Sequence, residues 1–271
     1  MEVIEKVILY RMSNSKFTIF PLGDIHVGNL MCAEEDIKEE VKLISQTKNS
    51  LCVGMGDYVD AIIGSDKRFD IVGHPQWVKK DNIIETERVF VKEIFSPIKS
   101  KFMCLLTGNH EETVHLYKQD DITRNLCNDL SIPYGGYHCF INLVFRRENS
   151  NEAHQYIIHA WHGAGSSQTD GARQMRLTRL VNDIQADIYL MGHLHAIQVH
   201  TPDRLVLRNG RVRSTRLIAA ITGSWLKTYA QPHKGETYTP SYGERAGYKP
   251  SRIGCPVIHI DVNKNECTVE S

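Results

Sequence analysis

The sequence predicts a mixed α/β layered domain. In its first half, short apolar runs of strand length alternate with longer stretches whose apolar residues recur at helical spacing, and in its second half strand runs dominate. Five of the strand-like runs end in a glycine set beside Asp, Asn or His. The 271 residues suit one large domain, and no repeat or low-complexity linker divides them, so residues 1–271 are read as one unit.

Taken in order, Thr18 to Leu22 is the first strand. Ala33 to about Thr47 carries Ile37, Val41 and Ile44 at helical spacing on a charged surface. Leu51-Cys52-Val53 is a short buried strand. Asn82 to Ile98 is helical by pattern, with Pro97 near its end. Phe102 to Leu106 is the next strand, and Asp121 to Leu130 a helix closed by Ile132-Pro133. Tyr137 to Phe145 and Gln155 to Ala160 read as paired strands, and Ala172 to Ile184 as a helix with Thr169 or Asp170 as its N-cap. Asp187 to Met191 is a strand. Leu205–Leu207 and Arg211–Ile221 read as a hairpin around Asn209-Gly210, and Val257–Val262 and a last pair near Thr268 close the chain. Residues 61–81 and 229–253 lack periodicity and read as long loops.

Formal charge balances to zero, so any basic contact surface is local. Seven cysteines without a CxxC pair, mostly inside apolar runs, read as reduced thiols and point to the cytoplasm. The N-terminus lacks an export pattern, and no apolar run is long enough to span a membrane.

The chemistry lies in five clusters. They are Gly23-Asp24-Ile25-His26, Gly56-Asp57-Tyr58-Val59-Asp60, Gly108-Asn109-His110-Glu111, His162-Gly163 and Gly192-His193-Leu194-His195. Oxygen and imidazole donors without thiolate suit Mn, Fe, Zn, Co or Ni better than a sulfur-bound structural zinc. One Asp-x-His in a loop is usually a solvated turn; five such clusters in fixed order are not explained by chance. His159 competes with His162 but sits inside its strand, where packing is its simpler role. His74, His115, His138, His154, His200, His233 and His259 belong to no cluster.

As a set, the clusters resemble those of the calcineurin-like metallophosphoesterase superfamily over roughly residues 18 to 200. The resemblance implies a four-layer α-β-β-α sandwich of two mixed β-sheets flanked by helices, with a dinuclear metal site on strand-end loops. It implies Asp24, His26 and His195 as ligands of one metal, Asn109, His162 and His193 as ligands of the other, and Asp57 as the bridge. The expected cofactors are two divalent ions, Mn²⁺ first, with Fe, Zn, Co, Ni or Mg as alternatives. Two such ions can clamp a phosphoryl group and ionise a bridging water for in-line attack. His110 is expected to stabilise the transition state or protonate the leaving oxygen, and Asp60 to orient it. Glu111 reads equally as a supporting or a solvated carboxylate.

Departures from the phosphoprotein phosphatase branch bear on the substrate. Where that branch has arginines that clamp a dianionic monoester, this chain has Ala61 and Thr107. The Gly-His-Leu-His ending resembles the phosphodiesterase and nuclease branches. The expectation is therefore a phosphodiesterase acting on a nucleotide or nucleic-acid strand, with a phosphomonoesterase or a non-catalytic scaffold of the same fold as alternatives, and with homo-oligomers open. Arg204, Arg208, Arg211, Arg213 and Arg216 on the late hairpin, and Arg173, Arg176 and Arg179 after His162, can track a backbone or simply charge a solvated edge. Trp225, Tyr229, Tyr238, Tyr242 and Tyr248 can stack on bases or pack a loop.

Overall fold

Burial sorts the chain into layers. The structure, a computed structural model, describes residues 1–64, 66, 69, 73–208, 210–230 and 240–271. In chain order its elements are β1 (Glu2–Tyr10), β2 (Lys16–Leu22), α1 (Glu34–Gln46), β3 (Ser50–Gly54), α2 (Ile83–Phe95), a 3-10 turn (Ser96–Lys101), β4 (Phe102–Leu106), α3 (Asn109–Lys118) and α4 (Ile122–Leu130). They continue with β5 (Tyr134–Gly136), β6 (His138–Arg147), β7 (Ala153–Trp161), α5 (Asp170–Asp183), β8 (Ile188–Met191), β9 (Ile197–His200), β10 (Asp203–Arg208) and β11 (Arg211–Arg216). The last are β12 (Ile218–Thr222), α6 (Tyr242–Arg245), β13 (Val257–Asp261) and β14 (Glu266–Glu270).

One six-stranded sheet has the order β14-β13-β2-β3-β4-β5, and a second has the order β1-β6-β7-β8-β12-β9. Between them lies a core that includes Phe17, Ile19, Val53, Met103, Leu106, Ile141, Phe145, Ile158, Leu190 and Ile258. On the outer face of the first sheet, α1, α2 and α4 bury Ile37, Val41, Val91, Ile94 and Leu126. On the outer face of the second, α5 buries Leu177 and Val181 against Tyr189 and Ala219. Helix, sheet, sheet, helix is the expected four-layer order, and both sheets are mixed.

Local chemistry sets the helix ends. Asp121 accepts the Arg124 amide at the start of α4, and Thr169, rather than Asp170, accepts the Ala172 amide at the start of α5. Several elements differ from the sequence reading, among them β5, β9 and the short α6, which were not anticipated. Arg211–Ile221 is two strands: β11 is exposed and pairs only with β10, whereas every residue of β12 is buried between β8 and β9, so the chain turns at Leu217 to leave solvent for the core. β1 was not anticipated, because Val3, Val7 and Leu9 face outward while Ile4 and Ile8 pack inward, which blurs the alternation. α3 was not anticipated either; its residues carry little apolar periodicity, and Glu111 starts it by accepting the Gly108 amide at 3.0 Å. Among the other sequence readings, Asn209, His233 and Tyr238 fall outside the described residues, as does the side chain of Arg208.

His159 packs within β7, as the simpler reading had it, at 1 % exposure beside Phe140, and neither ring nitrogen has a hydrogen-bond partner among the described residues. Burial, then the neighbouring His138, pulls its pKa down from 6.5 to about 4. The unfolded chain therefore binds a proton at a pH where the folded chain does not. Stability is full above about 6.5 and falls as pH drops from there towards about 4. His159→Phe should remove that loss. Chemical denaturation at pH 7.5 and pH 5 should show a smaller drop for the variant than for the parent chain, by one kcal/mol or more on the order of the linkage involved. Equal drops would show that His159 does not carry the acid sensitivity.

Candidate metal centre

The clusters all lie at the carboxyl ends of parallel strands. β2, β3 and β4 run parallel and lead into Asp24, Asp57 and Asn109, while β7 and β8 run parallel in the facing sheet and lead into His162, His193 and His195. Rigid strands fix the approach, and short turns aim the side chains inward. The turns are tight. Asp24, His26, Asp57, His193 and His195 all take left-handed φ, between 47° and 69°. For non-glycine residues such backbone costs about 1–3 kcal/mol each and persists only where its surroundings over-determine it.

Two sets of contacts supply that constraint. The Asp24 amide donates to the Gly56 carbonyl, the Ile25 and His26 amides to the Asp57 carbonyl, and the Val27 amide to that of Tyr58, at 2.8–3.1 Å, so the first two clusters zip together. Beneath them the Glu111 carboxylate accepts the amides of Asp57 (3.0 Å), Tyr58 (2.7 Å), Val59 (3.3 Å) and Gly108 (3.0 Å). Gly108 is required here, since a Cβ would come within 2.1 Å of the Asp57 nitrogen.

The seven candidate ligands converge. Donor atoms of Asp24, His26, Asp57 and His195 lie within 4.8 Å of one another, as do those of Asp57, His162 and His193, so Asp57 belongs to both groups. Asn109 Oδ1 joins the second, 2.7 Å from His193 Nδ1 and 3.1 Å from His162 Nε2. His162 donates through Nδ1 to the Met55 carbonyl at 2.7 Å, which turns the lone pair of Nε2 towards Asp57 Oδ2 at 3.4 Å and towards the Asn109 oxygen. His26 Nε2 and His195 Nε2 face each other at 3.1 Å, with Asp24 Oδ1 3.2 Å from the latter. Carboxylate, amide-oxygen and imidazole groups packed this closely are a donor set that fits divalent cations. The charges agree: burial opposes ionisation of Asp57, yet His162, His110 and His26 together hold its carboxyl well below the usual range. Burial likewise opposes a charge on His162, and the Asp57 carboxylate overrides it, raising His162 to about 10.

His110 and Asp60 are also brought together, though not as expected. His110 Nδ1 donates to the main-chain carbonyl of Asp60 at 2.5 Å, while the Asp60 carboxylate stays 3.9 Å away. That carboxylate instead lies 3.3 Å from His26 Nδ1 and accepts from Asn29 at 3.1 Å. A carbonyl only accepts, so the contact fixes the Nδ1–H tautomer of His110.

Sequence reasoning left one supporting residue open and missed others, Ser224 among them. Glu111, which read equally as solvated, is 1 % exposed. Ser224 was missed; its hydroxyl donates to the Asp24 carbonyl at 2.8 Å, beside the Trp225 amide at 2.9 Å. A signal existed, because Thr222-Gly223-Ser224 also sets a glycine and a polar residue at the end of a buried strand. Trp225 itself is core, not a stacking platform. Arg173 and Arg176 brace the loop after His162 through Ser167 and Ala164, and Arg204 holds the Val181 carbonyl, whereas Arg211 and Arg213 are exposed. Tyr229 donates to the Tyr248 carbonyl, and Tyr242 meets Tyr248 edge to face.

Comparison with known proteins places this geometry. Residues 17–196 match the model of the calcineurin-like phosphoesterases. Among solved structures, similarity is found to a conserved uncharacterised protein of Streptococcus pneumoniae TIGR4, described as a predicted phosphoesterase, at 13 % identity and TM-score 0.36, covering 95 % of this chain and 98 % of that one. Similarity is also found to the NAD nucleotidase of Haemophilus influenzae, at 9 % identity and TM-score 0.42, covering 95 % of this chain and 49 % of that one. No curated protein matches.

Removing the Glu111 carboxylate should undo the cradle. Glu111→Ala leaves four amides without their buried acceptor, and at ~1–3 kcal/mol for each unsatisfied group it should cost at least ~3 kcal/mol in urea unfolding, with Glu111→Gln milder. A loss under ~1 kcal/mol would mean that water or neighbouring groups replace it.

Proposed function

Since the chain belongs to the calcineurin-like phosphoesterase family, whose model spans residues 17–196, we propose that it is a two-metal phosphodiesterase acting on a nucleotide or nucleic-acid strand. The family sets the coarser reaction class, metal-dependent phosphoester hydrolysis. In the proposed assignment Asp24, His26 and His195 hold one cation, Asn109, His162 and His193 the other, and Asp57 both. When bound, such a pair supplies positive charge to the phosphoryl oxygens and makes a water acidic enough to attack phosphorus.

The chain's own groups do the rest. Asp57 is held in register by the His110 amide, which donates to its Oδ1 at 2.9 Å, so the backbone of the proton carrier positions the bridge. His110, with Nδ1–H fixed on the Asp60 carbonyl, carries at Nε2 the proton that the leaving oxygen takes up. The Asp60 carboxylate, itself held by Asn29, lies 3.3 Å behind His26 at Nδ1. The His195 side chain is 32 % exposed while Asp24 and Asp57 are buried, so substrate approaches over His195.

One observation supports a diester over a monoester. The two positions where a monoester phosphatase carries arginine are occupied by Ala61, packed into the core under α2, and by Thr107, whose hydroxyl is hydrogen-bonded to Tyr134. The nearest arginines in sequence to His162 are engaged with its loop. A phosphate carrying one negative charge needs no guanidinium clamp; a dianion does.

Manganese-loaded protein assayed with bis-(nitrophenyl) phosphate, nitrophenyl phosphate and single-stranded DNA tests this. The diester should be hydrolysed fastest, and preference for the monoester would overturn the assignment; cleavage of the DNA would extend the substrate from nucleotide to strand. His110→Ala should keep both metals while kcat falls roughly 10²-fold or more. His193→Ala should lose occupancy at one of the two positions, and full occupancy by metal analysis would show that His193 is not a ligand.

A further inference from the structure

α2 presents Ile83, Val91, Ile94 and Phe95 to the core, and among them a single carboxylic acid, Glu87, at 0 % exposure. A carboxyl group in that stripe is costly unless something requires it. Its Oε2 accepts the Ala61 amide at 2.8 Å, and its Oε1 has no hydrogen-bond partner among the described residues. The loop opposite makes room for it: Gly28 has φ of +97°, and a Cβ there would come within 2.0 Å of Oε1. Ala61 takes a left-handed φ of 50°, so its amide is turned towards α2 against ordinary backbone preference.

The Ala61 amide and the Asp60 carbonyl belong to one planar peptide unit. Its oxygen accepts from His110 Nδ1, and its N–H donates to Glu87. The two groups of a trans peptide point in opposite directions, so fixing one fixes the other. Burial pushes the Glu87 carboxyl well above its usual range, and its oxygen on the N–H still polarises the carbonyl and strengthens it as an acceptor.

We propose that Glu87 is a positioning residue for His110, acting through the single peptide unit that joins Asp60 to Ala61. The inference rests on the reading of His110 as the group that delivers a proton to the leaving oxygen. Helix α2 thereby sets the direction of a side chain on α3 that it does not touch through that carboxyl.

The test pairs Glu87→Ala with Glu87→Gln, whose amide oxygen still accepts the Ala61 N–H. Manganese-loaded proteins are assayed on methyl nitrophenyl phosphate and methyl phenyl phosphate, which differ in how far the leaving oxygen needs a proton. Glu87→Ala should lower kcat on the phenyl ester about 10-fold more than on the nitrophenyl ester, with KM and metal content little changed. Glu87→Gln should recover most of the loss. His110→Ala/Glu87→Ala should be no slower than His110→Ala alone, because the two changes remove one function. Equal loss on both esters, or additive losses in the double variant, would overturn the proposal. A second readout is independent of activity: in metal-free protein, the His110 Nδ1–H proton resonance, assigned by its absence in His110→Ala, should move upfield in Glu87→Ala. An unchanged resonance would refute the positioning role even if the enzyme proves to be a diesterase. A silent wild-type enzyme with a shifted resonance would refute only the substrate. Should Glu87→Ala fail to fold, Glu87→Asp, which retracts the carboxyl by one methylene, is expected to give the same ester split and the same upfield shift.

Discussion

Crowding of buried carboxyl groups is the constraint that organises this molecule. Asp24, Asp57, Asp60, Glu87 and Glu111 are the buried acids among the described residues, each at most 4 % exposed, and all lie in or against the same pair of loops. Taking one carboxylate out of water costs several kcal/mol unless donors replace the lost hydration. Here the replacements are specific: four amides for Glu111, the His193 amide for both oxygens of Asp24, the His110 amide for Asp57, Asn29 for Asp60 and the Ala61 amide for Glu87. Most of these donors are backbone groups, and aiming them inward is what puts Asp57, Ala61 and His193 into left-handed conformations. The strain and the charge therefore answer each other. What remains is the inner face, where imidazole and carboxylate groups crowd together, and cations fit there.

The fold serves that constraint by bringing strand ends from two sheets to one place. β2, β3 and β4 arrive from one side of the central core and β7, β8 and β12 from the other, each parallel to its neighbour, so their terminal turns open in the same direction. Core residues at 0 % exposure such as Ile19, Val53, Ile158 and Leu190 leave little room for one sheet to slide on the other. A metal pair shared across the two sheets needs that rigidity, since a shift of about 1 Å would undo its geometry. Ser224, at the end of β12, ties the turn of Asp24 to the second sheet and belongs to the same device.

How much of this is legible in sequence depends on which atoms do the work. The candidate ligands were readable because side-chain donors flanked by glycine at strand ends form an uncommon pattern, and the layered fold followed from strand and helix periodicities. Roles carried by backbone atoms were not. Every residue has a carbonyl, so nothing in Asp60 indicated that its main chain, and not its carboxylate, meets His110. Glu87 was invisible for another reason: in a helix also bearing Glu85, Arg88, Lys92 and Glu93, one more acid reads as surface, and only the packing shows it turned inward. The break at Leu217 was hidden because exposed β11 and buried β12 both look like strand.

Position 61 links the support of the site to the substrate proposed for it. The Ala61 side chain is 8 % exposed and packs with Val59, Val91 and the rest of the core beneath α2, while its amide is held by Glu87. An arginine at this position would have to leave that core to reach a phosphate, or else bury its charge beside Glu87 and draw the carboxyl away from the peptide that orients His110. The local structure therefore commits residue 61 to the peptide unit that meets His110, and not to a side chain that reaches a phosphate. With no guanidinium at position 61, the proposed site would meet phosphate charge through cations and His110, which is the ground for proposing a singly charged diester over a dianionic monoester.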